Sequence, residues 1–244
     1  MNTQQLIRLN MDNVTSLWKL GAMAAGSFYS NDHYAIALDP HSNWPNKLWF
    51  HGWPDHGLLQ ELQRKWNLQG ISMAVWQEES EPTHRLLEQH GFRLKSQLTG
   101  MSMSLAHPLQ QEPQRVHLQR VSDASLAHAW AEQFQLAFNY LIAPRTVVRT
   151  MQQVDYFVAR VAGTPVGTVS LYQHTDNTVG IHSMGVVPDH RRKGLAEEML
   201  LQALHLARQK GAIRATLQAS EMGKGLYLRT GFQEDFKLKL FIIN

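Results

Sequence analysis

Arg191, Arg192 and Lys193 stand directly before Gly194, Leu195 and Ala196, where an apolar run ending at Val187 gives way to helical spacing. That arrangement can hold a phosphate or a diphosphate. The first backbone N–H groups of a helix have no partner within it, and the helix dipole favours negative charge at the same end. Gly194 and Ala196 keep side chains out of the way, so an anion can approach the backbone. The three cations add charge where it is needed.

The elements that must position this loop are readable on either side. Met199, Leu200, Ala203, Leu204, Leu206 and Ala207 recur at the spacing of one helical face. Further on, Ile213 to Ala219 reads as a strand. Glu221 to Arg229 reads as a short helix, capped by Ser220 and stopped at Gly231-Phe232.

The spacing Arg-x-x-Gly-x-Ala at Arg191, Gly194 and Ala196, followed by a strand, a short helix bearing Tyr227 and then Gly231-Phe232, resembles the GNAT N-acetyltransferase superfamily. The resemblance covers Val186 to Phe232. It implies acetyl-CoA as cosubstrate, with Arg191, Arg192, Lys193, Gly194, Leu195 and Ala196 around its diphosphate. It implies that the strand Met184–Val187 splays from Ala215–Ala219, so that backbone groups of Val186 and Val187 pair with the pantetheine arm like an added strand. Tyr227 is at the position of the acid that protonates the departing thiolate; a phenol of reference pKa about 10 is a suitable donor. Ser220 stands where many relatives carry Asn, with less reach toward the pantetheine. Gly223 falls in the same contact region, and Arg229 matches a basic position that often faces the CoA phosphate.

Composition sets the frame. The chain has 244 residues, 43% of them hydrophobic and 18% charged, as in ordinary globular proteins. It has no cysteine, which excludes disulfides, a Cys nucleophile and thiolate metal sites. Thirteen His are present without a His-Glu-x-x-His pair, and no metal is expected. The formal charge of +3 suits an anionic cosubstrate; no basic stripe with interleaved aromatics suggests nucleic acid. No apolar run reaches about 18 residues, and Met1 to Arg8 lack a signal-peptide core, so a cytoplasmic protein without a membrane partner is expected. Monomer and homodimer both remain open.

The fold class read from the chain is α/β (α+β): two GNAT-like lobes, each a mixed, mostly antiparallel sheet flanked by helices. Residues 106–115, with Pro108, Pro113 and several Gln, read as a linker between 1–105 and 116–244. His84 to Leu105 repeats the order of Leu226 to Ile243, with Gly91-Phe92 matching Gly231-Phe232. Pro54-Asp55-His56-Gly57 resembles Pro188-Asp189-His190 followed by Gly194, without the three basic residues between. Gly70 then matches Gly211, leaving the first helix about one turn shorter. Leu87 stands where the second copy has Tyr227. On this reading the first half is a degenerate copy without diphosphate loop or acid. Its crowd of Trp, at 44, 49, 53, 66 and 76, fits either a packed core or an aromatic groove.

In the second half, a strand lies near Val116–Leu118, a helix runs from Ser122-Asp123 to about Tyr140, and another follows Pro144. Strands run near Tyr156–Val161, Val166–Tyr172 and Val179–Val187, with a turn at Asp176-Asn177. The reaction implied is acetyl transfer to a primary amine of a small molecule or peptide. A Lys-type ammonium, of pKa about 10.4, must first lose a proton. His182 is the candidate base; Ser183, His174 and Glu221 are further polar groups nearby. Phe138, Tyr140, Arg145 and Arg149 are the candidates for shaping acceptor choice. A sensor or interaction module that binds acetyl-CoA without turnover is the alternative, and a different acyl-CoA a third reading.

Overall fold

A computed structural model of the chain describes residues 1–76, 81–107, 109, 115–174 and 177–243, the side chains of 25 and 81–83 apart. Most of the expected linker, including Pro108 and Pro113, lies outside the described residues, as does Asp176 of the expected turn.

The first element, helix α1 (Thr3–Ala25), has no counterpart in the sequence reading. Asn2 and Gln5 form a reciprocal capping box at its start, and Gly26 closes it in the left-handed region at φ 95°. There follow strands β1 (Phe28–Ser30), β2 (Tyr34–Ala37) and β3 (Lys47–Phe50), helix α2 (His56–Lys65), β4 (Ser72–Val75), α3 (Glu81–Gln89) and the long β5 (Phe92–Ser104). The second half runs β6 (Val116–Arg120), α4 (Ala124–Phe138), α5 (Pro144–Thr150), β7 (Asp155–Val161), β8 (Thr164–Gln173), β9 (Thr178–Val186), α6 (Leu195–Gln209), β10 (Arg214–Ala219), α7 (Glu221–Thr230) and β11 (Gln233–Ile243). Asp123 caps α4 by accepting from the Leu126 N–H at 2.9 Å, and Ser220 caps α7.

All eleven strands join one sheet in the order β1-β2-β3-β4-β11-β5-β10-β9-β8-β7-β6. Apart from the extra edge strand β6, this order is symmetric about the β11–β5 pair, with four strands on one side and five on the other. Only β3–β4 and β9–β10 are parallel, and they occupy matching places on either side. The class is mixed α/β with a mostly antiparallel sheet flanked by helices. The two expected sheets are fused edge to edge, and their last strands have changed places. β5, from the first half, pairs with β10 of the second. β11, at the end of the second, pairs with β4 of the first. Both are long enough to hold two neighbours, and fusion leaves two fewer open edges.

Each half has its own core. One joins α6 and α7 to β5–β10, with Met199, Leu200, Leu204, Ile181, Leu217 and Phe232 buried together. Another holds α2 and α3 against β2–β4. On the opposite face α4 and α5 pack around Trp130 and Phe134. Helix α1 lies on that same face across both halves, burying Met11, Val14 and Trp18 against Trp49, Ala74 and Leu238. The Trp crowd is therefore mainly core: Trp49 is buried beside Trp18 with ring centroids 5.6 Å apart, whereas Trp53 is largely exposed. Among the described residues no helix is long and apolar enough to cross a membrane.

Candidate active site

The parallel ladder between β9 and β10 is short. It pairs Arg214 with Thr178, Ala215 with Val179 and Thr216 with Gly180, and there it stops. β9 continues six residues further and β10 three, without pairing, so a gap opens between two central strands. A bulge lies at the same place. The β8–β9 register slips between Thr168 and Ser170, and Ser183 takes φ 51°, in the left-handed region. Side chains of β8 secure it: Thr168 Oγ1 donates to the Ser183 carbonyl at 2.8 Å and Ser170 Oγ to the His182 carbonyl at 3.1 Å. β9 is buried at 178–181 and at 186, and partly exposed only at 182–185. That stretch lies just past the last rung of the β9–β10 ladder, where the gap begins.

Beyond β9 a single 3-10 turn, Pro188–His190, leads into the basic loop. Arg192 at φ 60° and Gly194 at φ 77° both lie in the left-handed region, which coils the loop tightly before α6. Gly194 offers no side chain to cap the helix. The Glu197 and Glu198 N–H groups return to the Gly194 carbonyl, at 3.1 and 3.3 Å. The N–H groups of Leu195 and Ala196, the first two of the helix, are thus left to an external acceptor. The cations divide in a way that spacing does not reveal. Arg191 donates from Nε to the Val186 carbonyl at 3.0 Å and from Nη2 to the Ala137 carbonyl at 2.9 Å, so it braces the loop against β9 and α4. Lys193 donates to the Asp189 carbonyl at 2.9 Å. Arg192 makes no hydrogen bond or ion pair with the described residues. Arg115, placed by sequence at the end of the linker, instead donates to the Lys193 carbonyl at 2.7 Å and pairs with Glu198. It offsets a carboxylate one turn into α6, and nothing local in sequence pointed to it.

The expectation for Val186 and Val187 needs correction. The Val187 N–H already donates to the Val166 carbonyl at 3.0 Å, so Val187 faces β8. In an antiparallel ladder successive residues point opposite ways, so Val186 turns its backbone groups toward the gap. Its carbonyl is taken by Arg191, which leaves the Val186 N–H. Ser220 and Gly223 are likewise engaged: Ser220 Oγ accepts from the Gly223 N–H at 3.3 Å as the cap of α7. Arg229 is exposed on α7.

Tyr227 is buried on α7 and meets Phe232 edge-on, centroids 5.8 Å apart. The turn Gly231-Phe232 holds this geometry, with the Phe232 N–H donating to the Tyr227 carbonyl at 3.0 Å. The ring also runs past Gly223, where a Cβ would come within 3.3 Å of it. Burial pushes the phenol up to about 12, and its hydroxyl has no partner among the described residues.

On the α1 face, His182 Nε2 lies 2.9 Å from Asn13 Oδ1, and burial pulls its pKa down to about 4. Asn10, also on α1, donates to the Met101 and Leu217 carbonyls at 3.1 and 3.2 Å and accepts from Gln218 at 2.6 Å. The N-terminal helix is therefore tied to the strands on both sides of the gap. Phe138, on α4, covers Gly185, where a Cβ would come within 2.7 Å of its ring. Arg145 and Arg149 are engaged by the first half. Arg145 pairs with the fully buried Asp39 at 2.8 Å, and Arg149 donates to the Ala24 carbonyl at 2.6 Å; both tie α5 to the first half. His174 stacks on Tyr172 at the surface, and exposed Glu221 pairs with Lys224 at 3.8 Å.

Residues 124–232 match the family model described as Acetyltransferase (GNAT) family. Over that segment the chain belongs to the GNAT family. Acetyl transfer is the chemistry of that family. No curated protein sequence matches this GNAT chain. Among solved structures it is similar to a GCN5-related N-acetyltransferase from Kribbella flavida, at 16% identity and TM-score 0.71, over 94% of each chain. It is also similar to a functionally unknown conserved protein from Staphylococcus epidermidis, at 19% identity and TM-score 0.63, over 88% of this chain and 93% of that one. A GCN5-related N-acetyltransferase from Sphaerobacter thermophilus matches at 17% identity and TM-score 0.62, over 88% of this chain and 82% of that one. At these identities the likeness is one of fold, and it extends over nearly the whole chain.

Proposed function

We propose that this GNAT protein transfers an acetyl group from acetyl-CoA to an amine at the gap between β9 and β10. One observation carries the reading: the ladder ends at Thr216–Gly180, and Val186 past its end, Leu195 at the uncapped start of α6 and Tyr227, whose hydroxyl has no partner among the described residues, share one buried cluster. The residues present fit the cosubstrate. The Leu195 and Ala196 N–H groups with Arg192 suit a diphosphate, and the Val186 N–H suits an amide of the pantetheine arm. Arg191 and Lys193 hold the loop in shape.

The amine attacks the thioester carbonyl, the C–S bond breaks, and the thiolate takes a proton from Tyr227. A phenol pushed up to about 12 carries its proton at neutral pH, and because that makes it a weaker acid than a thiol of pKa about 8.5, the transfer is completed by the phenolate regaining a proton from water. His182, at about 4, is poorly matched as the sink for the proton of an ammonium near 10.4. Its part is to accept a hydrogen bond from the amine, and the proton leaves through water. The first half contributes walls rather than a second reaction centre.

Acetyl-CoA at about 100 times its Kd should stabilise the protein by about 2.7 kcal/mol in thermal unfolding, and thiol release should follow with one member of an amine and peptide panel. An unmoved midpoint at millimolar acetyl-CoA would remove the cosubstrate. Tight binding with no thiol release across the panel would make the protein a binder rather than an enzyme.

A further inference from the structure

We propose that Asn13, on the N-terminal helix, is a positioning residue of the C-terminal site: it fixes the tautomer of His182 and leaves Nδ1 as the acceptor for the incoming amine. The role of Nδ1 rests on the acetyl-transfer reading; the tautomer does not.

The donors and acceptors decide it. Asn13 Nδ2 donates to the Tyr172 carbonyl at 2.8 Å, and a carbonyl can only accept. This fixes which end of the amide faces His182: Oδ1, 2.9 Å from Nε2. An amide oxygen also only accepts, so Nε2 carries the proton. Burial keeps the ring neutral, and a neutral imidazole has one N–H, so the lone pair is on Nδ1. No described group bonds Nδ1.

Gly180 shows that the contact is built in. A Cβ there would lie 1.9 Å from Asn13 Oδ1 and 2.2 Å from His182 Nε2, so the hydrogen bond passes through space that only glycine leaves empty. Gly180 is also the last β9 residue in the β9–β10 ladder, and the partly exposed stretch of β9 begins at His182. The fixed ring therefore stands where the gap opens. As the amine attacks, its nitrogen gains positive charge and its hydrogen bond to Nδ1 strengthens, which favours the transition state over the bound amine.

Nitrogen NMR of protein labelled with ¹⁵N-histidine tests the tautomer, with the His182 signals assigned by their loss in His182→Gln. The wild type should show the Nε2–H form at pH 7. Asn13→Ala and Gly180→Ala should each convert it to the Nδ1–H form or a mixture. Asn13→Asp, which has no N–H for the Tyr172 carbonyl and sets a negative charge beside the ring, should instead shift His182 toward the doubly protonated form. With the acceptor found by the panel, Asn13→Ala should lower kcat about 10- to 100-fold at unchanged KM for acetyl-CoA. A wild-type Nδ1–H form, or an unchanged tautomer in folded Asn13→Ala, overturns the assignment of Asn13 without any turnover being measured. A changed tautomer with wild-type kcat overturns the role of Nδ1. Absence of any acceptor would undo the acetyl-transfer reading and leave the tautomer result standing.

Discussion

β3 to β5 and β9 to β11 run through the same order of strand, turn, helix, strand, helix and strand, yet what stands between the first strand and the first helix differs. Before α2, Asp55 turns its carboxylate onto the helix and accepts from the Leu58 N–H at 2.8 Å. Before α6, Gly194 leaves the corresponding donors open. One helix supplies its own anion; the other awaits one. The second helices differ in the same sense: Leu87 of α3 is 0% exposed, an apolar plug, whereas Tyr227 of α7 is 9% exposed with a free hydroxyl. The strands differ too. β3 and β4 each end one residue past their last pair, with Trp49 packed onto Trp18, while β9 runs on past Gly180. An architecture present twice leaves a cap, a plug and a ladder incomplete in only one copy, the one proposed to bind the cosubstrate.

The largest expected effect concerns the exchanged strands. Residues 116–244 alone should fail to fold cooperatively, because β10 would lose β5 and β11 would lose both neighbours. Co-expression with 1–105 should restore a cooperative melt. A fragment 116–244 that melts sharply alone would make the halves independent.

Next comes pH. Burial lowers His182 from 6.5 to about 4, so the unfolded chain binds the proton first as pH falls. The stability that depends on a neutral His182 is complete above about pH 6.5 and is lost on the way to pH 4, by up to about 3 kcal/mol. In the first half His90 is also lowered by burial, and then by His56, 2.8 Å from it, and acts in the same direction. Urea unfolding of wild type and His182→Gln at pH 7 and 4.5 checks the site: the variant should lose most of the slope, and parallel slopes would contradict it.

The smallest effect compares the two loops directly. Gly57 is the second residue of α2 and a Cβ there would meet only Asp55 Oδ1, at an ordinary 3.5 Å, so Gly57→Ala should stabilise by about 0.5 kcal/mol. Gly194 sits at φ 77°, so Gly194→Ala should destabilise by about 1 kcal/mol and weaken acetyl-CoA binding as well. Chemical denaturation and calorimetric titration separate the two. An effect of Gly57→Ala on acetyl-CoA binding would place a ligand in the wrong half.

What the sequence discloses and what it hides follow from distance along the chain. The basic loop, the Ser220 cap, the Gly231 stop and the strands around them rest on neighbours a few residues apart, and they are where the pattern puts them. α1 was locally marked by Asn2 and Gln5, but its role was not. Asn10 and Asn13 meet partners 91 to 208 residues away, and no local spacing encodes that. Arg145 and Arg149 read as acceptor residues because helices beside a site carry them, yet their partners, Asp39 and Ala24, are in the other half. The exchange of β5 and β11 was hidden because both follow a Gly-Phe stop with similar patterns, so either could complete either half.

The central claim is that the unpartnered hydroxyl of Tyr227 protonates the departing thiolate. Tyr227→Phe keeps the ring against Phe232 and removes only that oxygen. Steady-state kinetics with a confirmed acceptor should show kcat reduced by about 10²–10⁴-fold, with acetyl-CoA affinity and melting temperature nearly unchanged. Full kcat in Tyr227→Phe would make Tyr227 a packing residue and contradict the account.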